Sequence, residues 1–358
     1  MSAALRLLAD DLTGALDSAA RFTAAGSVPV FWSPPEGPPP RCALDAATRD
    51  AAPEAVAAAL PGFAAALAEG QLAFKKIDSV LRGHVALELD VCVAGFDHAI
   101  VAPAFPHQGR VMRNGDMLVR GPGGWQPGPH RFPALGRAVA RCRAGQAAPA
   151  GVSLWDAESD EDLAAIVEAG LDLQRRAGGR LLWCGAAGLA GALAARLAPG
   201  PVPRPDLPGP VLALIGTDHP VAMAQLALAL PVLHRLEDAD VMAHPRIADD
   251  LAEAGAAAVC VALPADTSRA AAAARIGAHF AELAQAVPRP GSVVVAGGET
   301  LRRLMRALDA QSLMVDGEIE PGIPAAIVQG GHWHGLRLVA RSGGFGEPAL
   351  LARLLGLR

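Results

Sequence analysis

The sequence predicts an α/β protein of two domains, each a mainly parallel sheet flanked by helices, with an active-site cleft between them. Three observations carry this expectation. Short apolar runs alternate with Ala-rich segments along the whole chain, the pattern of strands joined by crossover helices. The run Pro199–Pro210 is too dense in Pro and Gly for a helix or a central strand, and reads as an exposed, stiff linker. Polar or glycine-bearing turns follow the apolar runs, and in open α/β sheets such strand ends are where ligands bind. The boundary falls at that linker, giving residues 1–205 and 206–358.

Composition sets the outer limits. The 358 residues suit two domains of ordinary size, and with 52% hydrophobic and 19% charged residues a large core is within reach. No apolar run approaches the ~18–20 residues of a membrane span. The N-terminus lacks the order of a signal peptide, so a cytoplasmic protein is expected. A net charge of −5 argues against nucleic acid held by general basicity. The five cysteines are scattered, with no Cys-x-x-Cys pair, and read as buried reduced thiols. Lys75 and Lys76 are the only lysines, every other basic side chain being Arg or His, which draws attention to them.

The elements follow in order. Leu7-Leu8-Ala9 is a buried strand that breaks into Asp10-Asp11 and passes through Thr13-Gly14 into an Ala-rich helix. Residues 26–31 form a second strand and Pro34–Pro40 a loop. Ala43-Leu44-Asp45 is a weak third strand running into Thr48-Arg49, and a helix spans about 53–69, stopped by Gly70. Leu72–Lys76 repeats the opening logic, with Asp78, Ser79 and Arg82 in the turn before a helix through Leu87 and Leu89. Ala99–Phe105 is a strand followed by Gly109-Arg110. Residues 113–136, rich in Gly, Pro and Arg, read as an irregular excursion. Val152–Asp156 is a strand, and Ser159 with Asp162 forms a capping box for the helix 160–177. Leu181–Cys184 and the helix 185–197 close this half.

Beyond the linker, Val211–Ile215 is a strand leading through Gly216-Thr217-Asp218-His219-Pro220 into a helix. Ala257–Leu263, a helix over 268–286 and the buried strand 293–296 follow, then Gly297-Gly298-Glu299-Thr300 opening another helix. Leu338–Ala340 ends in Arg341-Ser342-Gly343-Gly344-Phe345-Gly346 before a final helix from Pro348.

Two chemistries emerge from these turns. In the second half, three glycine turns let backbone approach an anion, and free N–H groups at a helix start favour phosphate. None matches a P-loop or a dinucleotide fingerprint, but together they point to a phosphate-rich ligand. In the first half, Asp10, Asp11, Thr48, Arg49, Lys75, Lys76, Asp78, Ser79, Arg82 and Arg110 all end apolar strands. In a parallel sheet they converge on one crevice, where Arg pairs with a carboxylate and Asp with hydroxyls, suiting a hydroxylated acid.

Leu8-Ala9-Asp10-Asp11-Leu12-Thr13-Gly14-Ala15 with Asp17, Lys75–Ser79 with Leu81-Arg82-Gly83, and Pro103–Pro106 with Gly109-Arg110 resemble the four-carbon acid sugar kinase family. Gly297–Thr300, Pro321-Gly322-Ile323-Pro324 and Ser342–Gly346 do so too, in the same order. The resemblance runs from residue 7 to about 350. It implies an acid-sugar-binding domain (1–205), a nucleotide-binding domain (206–358), and ATP-dependent phosphorylation of the terminal hydroxyl of threonate, erythronate or 3-oxo-tetronate. The chain departs from the family pattern at Leu16 (usually Asn), at Val80 and His84, in the Gly216 turn, which lacks two hydroxyls, at Arg341 (usually Lys), and in a shortened 113–136 region.

A kinase acting on a small sugar acid gives the acidic and basic turns these expected roles. Asp10, Asp11, Lys76 and Asp78 are the catalytic candidates. Asp10 and Asp11 would hold substrate hydroxyls, one accepting the proton of the attacking hydroxyl, while Lys76 or Arg110 stabilises the transferring phosphoryl group. Arg82, with Ser79 and Arg49, would take the substrate carboxylate, and Thr13 and Gly109 complete that site. Gly216, Thr217, His219, Gly297, Gly298, Glu299, Thr300, Ser342, Gly343 and Gly344 would grip ATP with Mg2+; no metal ligand is singled out. The partners are then a sugar acid and ATP, with room for a homodimer and none for nucleic acid or membrane. A catalytically impaired binding protein derived from such a kinase is the alternative, and a nicotinamide-dependent dehydrogenase ranks behind it.

Overall fold

The computed structural model describes residues 4–121, 123–237, 240 and 242–357. It divides into two compact units, Met1–Val202 and Pro203–Arg358.

The strands of the first unit are β1 (Leu5–Ala9), β2 (Val28–Phe31), β3 (Arg41–Asp45), β4 (Leu72–Lys76), β5 (His98–Ala102), β6 (Arg110–Arg113), β7 (Asp116–Gly121), β8 (Gly124–Pro127), β9 (Val139–Arg143), β10 (Gly151–Asp156) and β11 (Leu181–Gly185). Its main sheet runs β2-β3-β1-β4-β11-β5-β10-β9. The pairings along it are parallel. The helices are α1 (Leu12–Arg21), α2 (Pro53–Ala68), α3 (Val85–Val93), α4 (Asp160–Ala177) and α5 (Ala187–Leu197). Helix α5 packs on α1 and α4, while α2 packs on α3. Strands covered on both faces are largely apolar, and β1, β5 and β11 are buried at every residue, Arg6 and His98 included.

Local chemistry sets the helix ends. Asp11 has an extended backbone and its Oδ1 accepts the Gly14 amide at 2.9 Å, the N-cap of α1. Ser159 and Asp162 form the expected reciprocal box at α4, which carries acids in its first turn and Arg175 and Arg176 in its last.

The 113–136 excursion is where the structure differs from the sequence reading. Much of it is ordered strand: β6, β7 and β8 form an antiparallel sheet of their own. Its Gly, Pro and Arg content follows from exposure, since β8 is exposed along its length and has no core to fill. The sequence reading also passed over β9, whose Val-Ala-Arg-Cys-Arg run is mostly exposed at the sheet edge.

In the second unit the elements are β12 (Val211–Ile215), α6 (Pro220–Ala227), β13 (Leu233–Leu236), α7 (Ala243–Glu253), β14 (Ala256–Val261), α8 (Arg269–Ala286), β15 (Ser292–Ala296), α9 (Gly298–Ala307), β16 (Ser312–Glu320), β17 (Ile323–Gln329), β18 (Arg337–Arg341) and α10 (Leu350–Leu354). Within this unit the strand order is β13-β14-β12-β15-β18-β17-β16. It is parallel from β13 to β18 and antiparallel beyond. One core joins Ile215, Ala296 and Val339 to Ala222 and Leu226 of α6 and Leu350 and Leu351 of α10.

The proline-rich run is mostly exposed but not loose. The Glu318 amide donates to the Pro203 carbonyl at 2.9 Å, and Ser292 Oγ donates to the Pro208 carbonyl at 2.6 Å. The segment is thus strapped to the second unit. All five cysteines are buried and unpaired. Among the described residues, no helix is long and apolar enough to cross a membrane.

Candidate functional site

Parallel pairing brings the ends of β1, β3 and β4 side by side, and the turns that follow carry the charges. Arg49 is their centre. Its Nε and Nη2 donate to the two oxygens of Asp10 at 2.7 and 2.8 Å, and its Nη1 lies 2.7 Å from Asp11 Oδ2. Asp78 Oδ1 stands 3.7 Å from the same guanidinium. Asp10 is 2% exposed, so this fork is what allows an ionised carboxylate there. Burial alone would raise the Asp10 pKa; Arg49, Lys75 and Lys76 outweigh it and hold the carboxyl below its usual range. Burial opposes ionisation of Arg49 too, but the three carboxylates lift its pKa well above normal.

Asp11 joins two tasks. Its Oδ2 accepts Thr13 Oγ1 at 2.6 Å while Oδ1 caps α1. Its side chain is 18% exposed against 3% for Asp10, so Asp11 is the more accessible of the pair. Asp78 shapes the next turn: Oδ2 accepts the amides of Val80 and Arg82 at 3.1 and 3.2 Å, the geometry of an Asx-type turn. Arg82 Nε and Nη2 also donate to Asp78, at 3.1 and 2.8 Å, and the Arg82 side chain remains 43% exposed. Despite its burial, Asp78 is held well below the normal carboxylate range by Arg49 and Arg82. Ser79 is half-buried in the same turn.

The lysine pair is divided between the two faces of the sheet, because successive strand residues point oppositely. Lys75, wholly buried, meets Glu88 of α3 at 2.6 Å, and Thr48 Oγ1 donates to the other Glu88 oxygen. Lys76 turns to the α1 side and donates to the Ile77 carbonyl at 2.9 Å. A Cβ on Gly14 would lie 3.3 Å from Lys76 Nζ and 2.6 Å from Asp11 Oδ1, so only glycine lets both groups close on the start of α1. Asp17, on α1, is buried and its pKa is raised by that burial, against the pull of Arg21 and Lys76. Gly109 takes a left-handed backbone (φ 67°) after which Arg110 donates to the Gln108 carbonyl at 2.8 Å. Burial lowers the Arg110 pKa, partly countered by Asp78.

Asp10, Asp11, Thr13, Arg49, Lys76, Asp78 and Arg82 therefore belong to one cluster, with Ser79 in the Asp78 turn and Arg110 within electrostatic reach of Asp78 and Arg82. Arg49, read from the sequence as a carboxylate ligand, has its fork taken up by the three acids. Glu88 was missed: it lies in an apolar helix, and the only clue was that a buried Lys75 needs a carboxylate.

In the second unit the three glycine turns each begin one residue beyond the register row Ile215, Ala296 and Arg341. Gly216 sits against Thr300, whose Oγ1 is 3.4 Å from the Gly216 carbonyl. A Cβ on Gly343 would come within 2.5 Å of Thr217 Oγ1, and one on Gly344 within 3.1 Å of the His219 ring. His219 itself is exposed and caps α6 through Val221 N at 3.2 Å. Gln225 Nε2 fastens the far end of the last turn by donating to the carbonyls of Phe345 and Glu347 at 3.3 and 2.9 Å. Gly297 has φ 112° and, among the described residues, no side chain caps α9, which leaves its first-turn amides without a side-chain acceptor; Glu299 beside them pairs with Arg303 at 2.8 Å. Ser342 and Gly298 lie half-buried in these turns. Among the described residues, no group of His, Cys, Asp and Glu side chains is placed to hold a metal ion.

Residues 5–132 match the model of a sugar-binding N-terminal domain, and residues 211–351 that of a nucleotide-binding C-terminal domain. The D-threonate kinase of Bordetella bronchiseptica is 30% identical over 97% of this chain and 95% of its own length. That of Cupriavidus necator is 31% identical over 96% of this chain and 95% of its own. A solved structure from Salmonella typhimurium LT2, 20% identical, shares the fold with a TM-score of 0.74, covering 98% of each chain. The chain belongs to the four-carbon acid sugar kinase family, and it shares its fold with that solved structure.

Proposed function

We propose that this chain is an ATP-dependent kinase that phosphorylates the terminal hydroxyl of a four-carbon sugar acid, with threonate the first acceptor to test. The full-length relatives named D-threonate kinase favour that acceptor over erythronate and 3-oxo-tetronate. The observation that carries the reading is the Asp10–Asp11–Arg49–Asp78–Arg82 cluster, where buried acids stay ionised beside a half-exposed arginine.

Phosphoryl transfer asks mainly for positioning and charge neutralisation. The outer edge of Arg82 is free to meet the substrate carboxylate while its Nε and Nη2 stay on Asp78; Ser79 and Arg110 complete that end. Asp11, accessible and fixed by Thr13 and the start of α1, accepts the proton of the attacking hydroxyl, and Asp10 and Arg49 hold it in place. Lys76 lies on the same side and balances charge that develops on the transferring group. In the second unit, the Gly216–Thr217, Gly297–Thr300 and Ser342–Gly344 turns, free of Cβ where loop meets loop, hold the nucleotide through backbone amides and the Thr hydroxyls. Mg2+ would neutralise the phosphates. It is ordinarily held by one or two carboxylates, phosphate oxygens and water, and so needs no protein cage.

The test is ADP release from Mg-ATP with both enantiomers of threonate and erythronate, with 3-oxo-tetronate, and with longer aldonates as controls. Turnover with a four-carbon acid is expected. Silence with ATP still stabilising the protein would make it a binding protein, and silence with no nucleotide binding would end the kinase reading. Arg82→Ala should raise KM at least tenfold with kcat changed less, the mark of a lost binding contact.

A further inference from the structure

Arg341 is the most unusual charged group of the second unit. The residue is 1% exposed, and its Nε, Nη1 and Nη2 make no hydrogen bond to any described residue. Burial pushes its pKa down to about 10, which leaves it charged at neutral pH. A buried guanidinium without a carboxylate is costly, and a bound anion is one way to offset that cost.

Its place in the sheet says which ligand. Arg341 ends β18, in register with Ala296 of β15, which is in register with Ile215 of β12. Register partners in a parallel sheet point to one face, and Ile215, Ala296 and Val339 belong to the core covered by α6 and α10. The next residue along each of the three strands opens a glycine turn. The guanidinium therefore lies in the last row of side chains below those turns, on the face of the Gly216 and Ser342 turns. A second buried polar atom on that face, Gln225 Oε1, also has no hydrogen-bond partner among the described residues, while Nε2 of the same residue holds the loop end at Glu347.

We propose that Arg341 is the cation through which this unit binds the phosphate chain of its nucleotide, completing charge that the backbone amides of the glycine turns supply only in part. The inference rests on the nucleotide reading of the unit and goes further by naming the residue and the moiety. A planar fork suits phosphate oxygens, and a charge kept free of any carboxylate is available in full to the ligand. The unliganded protein then carries the cost of an unpaired charge, and the polyphosphate relieves it.

Calorimetric titration of the full chain with inorganic tripolyphosphate, ATP and adenosine tests this. Arg341→Met should weaken tripolyphosphate and ATP by about ten- to a hundredfold and leave adenosine unchanged. Arg341→Lys should keep tripolyphosphate within about threefold. Without ligand, Arg341→Met should unfold at a higher denaturant concentration than the native chain, the reverse of what a merely structural arginine gives. Arg341→Gln serves as a second neutral variant should the Met variant not fold. Unchanged tripolyphosphate binding in a neutral variant, or equal losses for ATP and adenosine, would overturn the assignment. A native chain that binds tripolyphosphate but not ATP would overturn the kinase reading and reduce Arg341 to a cation for polyphosphate alone; one that binds neither would overturn both.

Discussion

At the scale of single residues, Arg49 is the group on which the acidic cluster depends. Arg49→Met leaves Asp10, Asp11 and Asp78 without their common cation, and loss of one partner from a buried ion pair costs about 3–5 kcal/mol. Urea unfolding at pH 7 should show it. The pH dependence has a definite sign. Asp10 and Asp78 have folded pKa values below their unfolded ones, so their contribution is complete above about pH 4 and is lost as pH falls through the folded values. Asp17, raised by burial, works the other way and destabilises as pH rises through its folded value. Asp17→Asn should therefore raise the urea midpoint at pH 7 and leave it unchanged at pH 3. The charges at strand ends were legible from sequence because they interrupt apolar runs. What they do to one another was not, because the pairing of Arg49 with three acids depends on distances that only the folded turns define.

Among the elements, those with a strong period or a recognisable cap were readable: α4 with its box, β12 and β15 with unbroken apolar runs. The ones passed over have weak signals for physical reasons. Helix α7 is the exception: Ala243, Ile247 and Leu251 recur at helical spacing, a signal the sequence carries plainly. In the β16–β17 hairpin the acids Asp316, Glu318 and Glu320 take every second position of β16, but irregularities at Val315–Gly317 and Glu318–Glu320 break the period of two, and β17 carries no acid at all. Packing between elements gives two predictions. Glu88→Gln removes the charge that β4 and α3 share through Lys75, and should lower stability by about 3–5 kcal/mol. Gly343→Ala forces the last turn away from Thr217, and should weaken ATP at least tenfold while leaving the circular dichroism spectrum intact. Overpacking at a single methyl costs about 1–3 kcal/mol, which spares the fold but not the loop.

On the scale of the whole molecule, two compact units should unfold in two calorimetric transitions, since each is a candidate cooperative unit. Threonate should raise one transition and ATP the other, each by about 2.7 kcal/mol at a hundredfold excess over Kd. A single transition shifted equally by both ligands would show that the units unfold together. The five buried thiols add a consequence of their own. Cys42, Cys92, Cys142 and Cys184 lie in the first unit and Cys260 alone in the second, and burial raises the pKa of every one. A thiol that is both covered and protonated is slow to alkylate. Under native conditions iodoacetamide should leave all five intact, and each should react only when the unit around it opens. Mass spectrometry after timed exposure would then record the two units separately, Cys260 keeping the clock for one and the other four for its neighbour, with no engineered label.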